Sequence, residues 1–102
     1  MKSLEQIRRQ LVAGEFEFSR HALKRAVERN ISDSEIREAA KGAELIEHYP
    51  EDKYSPSCLI FGSTKENRPL HIQVSYADTE MVRIITLYEP DPEEWIDFRN
   101  RR

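Results

Sequence analysis

A histidine and two arginines recur at a spacing of four residues within residues 18–30, FSRHALKRAVERN. On a helix, His21, Arg25 and Arg29 would lie along one side. An imidazole can transfer a proton near neutral pH, and a guanidinium group can bind two phosphate oxygens at once. Cleavage of RNA without a metal ion needs both functions. The segment therefore predicts one wall of a phosphate-binding site.

Glu28 leaves a second interpretation of this helix open. Its carboxylate is within reach of Arg25 and Lys24, and it can hold an arginine in one rotamer or simply neutralise it. If the pairing neutralises the arginines, the segment is an ordinary amphipathic helix with surface ion pairs, which are common and weak. In that case His21 only caps or packs at the start of the helix.

A second set of polar side chains alternates along the predicted strand LHIQVSY, residues 70–76. Because side chains point alternately to the two faces of a strand, His71 and Gln73 would share the open face of the sheet. His71 could take a proton from a ribose 2′-hydroxyl or give one to a leaving 5′-oxygen. Tyr88, on the neighbouring predicted strand, could stack a base or orient a phosphate there. The alternatives are that His71 is an ordinary surface residue and that Tyr88 is a ring partly buried beside Pro90.

Local sequence signals place these candidates on helices in the first half of the chain and on strands in the second half. Ser3, Ser19 and Ser32 are predicted N-caps, and apolar residues follow each of them at helical spacing. Strands are predicted at residues 15–18, 43–49, 57–63, 70–76 and 82–88. In EPDPEEWIDF, residues 89–98, Asp91 as N-cap and Pro92 at the first helical position predict a short terminal helix.

This order of elements, helices first and strands afterwards, is typical of an α+β layer fold. The predicted fold has two to three N-terminal helices packed on a four-stranded antiparallel sheet, formed by the last four strands. A short C-terminal helix completes it. The whole chain, residues 1–102, is predicted to be a single domain.

Composition limits the classes of function that the chain can perform. Its net charge is −3, which argues against a broadly basic nucleic-acid binder, but residues 1–30 carry seven Lys or Arg against four Asp or Glu. The three histidines are 27 and 23 residues apart and Cys58 is the only cysteine, so neither a metal site nor a disulfide is predicted. Neither a glycine-rich phosphate loop nor a membrane-spanning apolar run occurs. We therefore expect no cofactor and a cytoplasmic location.

Longer segments of the chain resemble known families. SRHALKRAVERNIS, GAELIEHYPEDK and YEPDPEEW resemble the DUF4258 family of small bacterial and archaeal proteins. LVAGEFEFSRHAL and the order of the elements are more distantly similar to the motility quorum-sensing regulator toxins, which are messenger-RNA interferases with the RelE-like fold. The second resemblance implies an RNA-cleaving toxin that an antitoxin protein neutralises, with basic and aromatic residues of the sheet at its site. By position, those residues would be His71, Gln73, Arg83 and Tyr88.

The sequence therefore predicts a RelE-like, toxin-type endoribonuclease that works without a metal ion, with RNA and an antitoxin protein as partners. The catalytic candidates are His71, His21 and Tyr88, and the substrate-binding candidates are Arg25, Arg29, Gln73 and Arg83. Two alternatives remain open. The chain could be a non-catalytic binding module of a toxin–antitoxin-like pair, which docks a partner peptide by strand addition. It could also be a housekeeping protein, in which the polar side chains of the helix face and of the sheet only form hydrogen bonds and ion pairs with each other.

Overall fold

Three serines begin the three helices of the chain, as the sequence predicts. The computed structural model describes all 102 residues. Its helices are α1 (Leu4–Val12), α2 (Arg20–Glu28) and α3 (Asp33–Ala40). The hydroxyl groups of Ser3, Ser19 and Ser32 accept hydrogen bonds from the backbone N–H groups of Gln6, Ala22 and Glu35. Each cap satisfies a backbone donor that the first turn of a helix leaves unpaired.

The main sheet has five strands and is mixed, so the predicted four-stranded antiparallel sheet is wrong. Its strands are β1 (Phe16–Phe18), β2 (Glu44–Tyr49), β3 (Ser57–Ser63), β4 (Pro69–Ser75) and β5 (Val82–Tyr88). Strands β2 to β5 form an antiparallel meander, and β1 joins it at the edge of β5, in the order β1-β5-β4-β3-β2.

The parallel pairing of β1 explains why the sheet prediction failed. Phe16 aligns with Val82 and Phe18 with Ile84. Alternating residues identify a strand, but they carry no information about a partner so far along the chain. Parallel neighbours also need a long crossover connection, which here contains α2, α3 and the three strands β2 to β4.

The predicted C-terminal helix is also wrong. Asp91 does start a turn, since its carbonyl oxygen accepts hydrogen bonds from the backbone N–H groups of Glu94 and Trp95. The chain then leaves the helical path and forms a small hairpin of β6 (Trp95–Ile96) and β7 (Asn100–Arg101). Nucleating so short a helix is unfavourable, whereas the extended path buries Trp95 against the sheet.

The helices cover one face of the main sheet and form the core with it. Its largest buried aliphatic side chains include Ile7, Leu11, Ile36, Leu70, Ile72, Ile84 and Leu87. Helix α3 approaches β3 closely at Gly62, where an added Cβ atom would lie 1.9 Å from the carbonyl oxygen of Ala39. None of the three helices is long and apolar enough to cross a membrane.

The other face of the sheet is covered as well. The loop at residues 50–56 lies over one end of this face. The β6–β7 hairpin lies over the other end, where Arg99 and Arg101 form ion pairs with Glu44 and Glu47 of β2. The polar side chains of β4, His71 and Gln73, therefore lie beneath a cover. The expectation that this face of the sheet is open to solvent is wrong.

Candidate functional site

His71 lies inside this cover and has no exposed surface. Its Nε2 atom is 2.7 Å from the carbonyl oxygen of Phe98, which can only accept, so Nε2 carries the proton and donates it. The Nδ1 atom of the neutral ring is therefore an acceptor, and the Tyr88 hydroxyl, 3.2 Å away, donates to it. Burial lowers the pKa of His71, so the ring is neutral in the folded protein at neutral pH.

Tyr88 connects the buried histidine to a cleft at the surface. The two residues face each other across the β4–β5 ladder. Tyr88 is half-buried, and burial raises the pKa of its hydroxyl. The cleft has a volume of about 620 Å³, and its lining residues are Arg29, Arg68, Tyr88, Glu89, Asp91 and Glu94. A ligand in this cleft would contact Tyr88, whose hydroxyl is hydrogen-bonded to the buried His71.

Arg29 is the cation that the cleft offers to a ligand. Its Nη1 atom donates to the carbonyl oxygen of Leu87 at 2.7 Å, and its guanidinium carbon lies 6.0 Å from the centre of the Tyr88 ring. Arg29 takes part in none of the eight ion pairs of the chain. Its remaining N–H donors are therefore available to a phosphate oxygen.

Arg68 has a different role, because its donors are already used. Its Nε atom donates to Glu89 at 2.8 Å and its Nη1 atom to Glu35 at 3.0 Å. Its Nη2 atom donates to the carbonyl oxygen of Arg29 at 2.9 Å. These contacts tie the β3–β4 turn to the end of β5 and to the α2–α3 corner. Arg68 thus positions the backbone of Arg29.

Two carboxylates on the far side of the cleft have no cationic partner. Asp91 accepts a hydrogen bond from the backbone N–H group of Glu93 at 2.8 Å. The Glu94 carboxylate lines the cleft and makes no hydrogen bond within the protein. A free carboxylate can act as a general base. The cleft therefore combines a carboxylate that can act as a base, the Tyr88 hydroxyl as a proton donor, and the Arg29 guanidinium group, which can bind a phosphate.

The structure does not bring His21 and Arg25 into this cleft. His21 is exposed on α2. Arg25 pairs with Glu28 at 2.8 Å, and this hydrogen bond is the main cause that lowers the pKa of Glu28. Neutralisation by Glu28, which the sequence left open, therefore applies to Arg25 and not to Arg29.

Gln73 and Arg83 lie near the other end of the covered face, where both contact the loop at residues 50–56. The amide of Gln73 donates to the hydroxyl of Ser57 at 3.0 Å. Arg83 pairs with Glu17 at 2.6 Å. Both side chains are thus occupied by partners within the molecule.

Four residues of the cleft are not among the candidates that the sequence predicts: Arg68, Glu89, Asp91 and Glu94. The two acids Asp91 and Glu94 follow Tyr88 by three and six residues, which is a usable signal, but the sequence pattern predicts Asp91 to be the N-cap of a helix. Arg68 stands in a turn, and its neighbours in sequence give no sign that it contacts α2 and α3.

Comparison with known proteins identifies a family for this chain but no individual relative. The model of a domain of unknown function, DUF4258, matches residues 18–89. This range includes Arg29, Arg68, His71 and Tyr88, and it stops before the β6–β7 hairpin. Nothing matches the chain among curated proteins or among solved structures. The match covers more than half of the sequence, and the chain belongs to the DUF4258 family.

Proposed function

We propose that the protein is an endoribonuclease that works without a metal ion, and that its site is the cleft between Arg29, Tyr88 and Glu94. The observation that supports this function best is the arrangement at Tyr88. Its hydroxyl donates to the buried, neutral His71, and its ring lies beside an arginine that forms no ion pair. The distant resemblance to messenger-RNA interferases supports the same class of reaction.

The proposed reaction is an internal transfer at a phosphodiester. The Glu94 carboxylate takes the proton of the ribose 2′-hydroxyl while the 2′-oxygen forms a bond to phosphorus. The bond from phosphorus to the 5′-oxygen breaks, and the Tyr88 hydroxyl turns its single proton from Nδ1 of His71 to this oxygen and releases it there. The proton on Glu94 then returns to Tyr88 through water. The products are a 2′,3′-cyclic phosphate and a 5′-hydroxyl end.

Arg29 and His71 support this reaction in different ways. The free N–H groups of Arg29 stabilise the extra negative charge on phosphorus in the transition state. His71 is a positioning residue, because it fixes the Tyr88 hydroxyl through Nδ1 and is itself fixed by the carbonyl oxygen of Phe98. His71 thus acts on the reaction through Tyr88, without touching the substrate.

The test is cleavage of single-stranded RNA by the purified protein in the presence of a chelator, with analysis of the ends produced. We expect 2′,3′-cyclic phosphate and 5′-hydroxyl ends. Tyr88→Phe should reduce the rate about 100-fold, the lower range for loss of a general acid. Arg29→Gln should reduce it by roughly the same factor.

Arg25→Gln is the matched control for Arg29→Gln, because it removes the same charge from the same helix at a site already paired with Glu28. It should retain the wild-type rate. The proposal fails if the wild type leaves RNA intact, or if Tyr88→Phe is as active as the wild type. Circular dichroism spectra of all variants show whether they are folded.

A second candidate function is favoured by a separate observation on α2. Leu23 and Val27 are 53 % and 73 % exposed, and they line a groove of about 300 Å³ together with Phe18 and Ile31. A non-catalytic binding module would dock an antitoxin-like peptide there. Asp33 also lines the groove, and the exposed Arg20 and Lys24 of α2, which lie outside it, form no ion pair, so the peptide would be apolar with acidic residues toward Arg20 and Lys24. An inactive wild type with tight binding of such a peptide, lost in Leu23→Ser, would favour this function.

A further inference from the structure

A second cleft also borders the β3–β4 turn. Its volume is about 320 Å³, and its lining residues are Val12, Ser34, Arg37, Glu38, Lys41 and Lys65. Helix α3 supplies three of these residues from one face, and its C-cap, Lys41, is the fourth. Val12 comes from the end of α1, and Lys65 comes from the β3–β4 turn. Cations therefore approach this cleft from two separate elements.

The cations of this second cleft are almost free of partners. Lys41 and Lys65 donate no side-chain hydrogen bond and form no ion pair. Arg37 donates from Nε to the carbonyl oxygen of Val12 at 3.2 Å, and its Nη1 atom is 3.8 Å from Asp33. This arginine keeps free donors because the second contact is long.

Negative charge in the lining is limited to Glu38, which accepts a hydrogen bond from the backbone N–H group of Lys65 at 3.1 Å. Three cations against one acid make this cleft positive in a chain whose net charge is −3. Positive charge on two walls of a cleft attracts a polyanion and suits a group with several negative oxygens.

The β3–β4 turn links this cleft to the proposed site of cleavage. It supplies Lys65 to this cleft and Arg68 to the first cleft. A strand of RNA that crosses this turn would place one phosphate between Lys41 and Lys65 and a later one beside Arg29. Electrostatic contacts of this kind position a nucleic acid without reading its sequence.

We infer that the cleft between Arg37, Lys41 and Lys65 binds a phosphate of single-stranded RNA, as a second anchor for the substrate. The inference rests on the proposed function for its ligand, and it adds a site that the proposed reaction does not use.

The test is binding of a fluorescent 12-nucleotide 2′-O-methyl RNA, which cannot be cleaved by attack of the 2′-oxygen, measured by anisotropy at several salt concentrations. The double variant Lys41→Gln/Lys65→Gln should bind about 10-fold more weakly. The slope of log affinity against log salt should fall by roughly 0.7, the contribution of one phosphate contact for a single strand. The control Lys53→Gln removes an exposed lysine from the loop at residues 50–56 and should bind as the wild type does.

The outcomes separate this inference from the proposed function. Equal affinity and equal slope in the double variant and the wild type overturn the inference, whether or not RNA is cleaved. Equal losses in the Lys53→Gln control also overturn it, because the effect then reflects net charge alone. Lysine-dependent binding by a protein that cleaves no RNA supports the anchor and rejects the endoribonuclease.

Discussion

His71 makes the stability of the fold sensitive to pH. Burial lowers its pKa in the folded protein, whereas a histidine in the unfolded chain takes up a proton near pH 6.5. The stabilising contribution of the neutral ring is therefore complete above about pH 6.5. It is lost as the pH falls below that value, because only the unfolded chain then gains a proton.

We expect the free energy of unfolding to fall by at most about 1.4 kcal/mol per pH unit from this residue, in the window from pH 6.5 down to the folded pKa. Urea unfolding of the wild type and of His71→Gln between pH 7.5 and 5 measures the effect. His71→Gln should be less stable at pH 7.5, and the difference should shrink as the pH falls.

The control for this measurement is His21→Gln. His21 is exposed, so its loss should leave the pH dependence of the wild type in place. Parallel stability curves for the wild type and His71→Gln would show that His71 titrates alike in the folded and unfolded chains, which would contradict the burial described for its ring.

Among the elements, α3 and β3 approach each other closely at Gly62. A Cβ atom at this position would lie 1.9 Å from a backbone oxygen, and a backbone cannot rotate away as a side chain can. Gly62→Ala should therefore destabilise the protein by about 3 kcal/mol, the upper range for overpacking. Urea unfolding at pH 7.5 measures the loss.

Gly42→Ala is the matched control, because a Cβ atom there would meet nothing within 4 Å. It should change the free energy of unfolding by less than about 1 kcal/mol. Similar losses in both variants would contradict the prediction, because the contact between α3 and β3 at Gly62 would then not be the cause.

Elements whose conformation depends on neighbouring residues could be predicted from the sequence. Elements whose pairing or burial depends on residues far along the chain could not. The N-caps at Ser3, Ser19 and Ser32 are confirmed, because each serine bonds a backbone N–H group only three residues further along the chain. The pairing of β1 with β5 and the burial of Trp95 depend on contacts with residues far along the chain, and local patterns carry no trace of them.

The candidate site also has features that local patterns predict and features that depend on distant contacts. Strand alternation correctly suggested that His71 and Tyr88 share a face, because it needed only the register of two neighbouring strands. Helical spacing treated Arg25 and Arg29 alike, but Glu28 pairs with the first and the carbonyl oxygen of Leu87 holds the second. The cover over His71 depends on the hairpin, which the sequence did not predict.

Over the whole molecule, the sheet combines a local meander with one distant pair. The antiparallel strands β2 to β5 join neighbours in the chain, whereas the contact of Glu17 with Arg83 spans 66 residues. Closing a long loop has a high entropic cost, so distant contacts form late in folding. The meander should therefore be present in the folding transition state before β1 joins it.

Folding kinetics test this order. Phe16→Leu in β1 should speed unfolding and leave the folding rate nearly unchanged, as expected for contacts that form late. Ile72→Val in the central strand β4 should slow folding. Stopped-flow measurements in urea give both rates, and a slower folding limb in Phe16→Leu would place β1 in the folding nucleus.

The parallel pairing of β1 also affects the protein while it is being synthesised. The ribosome releases Phe16 and Phe18 long before it adds Val82 and Ile84, the residues that align with them. Until then the nascent chain carries an unpaired apolar strand, although Phe16 is buried in the finished fold. Such a strand is prone to aggregation and is a typical target of chaperones. The nascent protein thus leaves β1 without its partner strand until β5 has emerged.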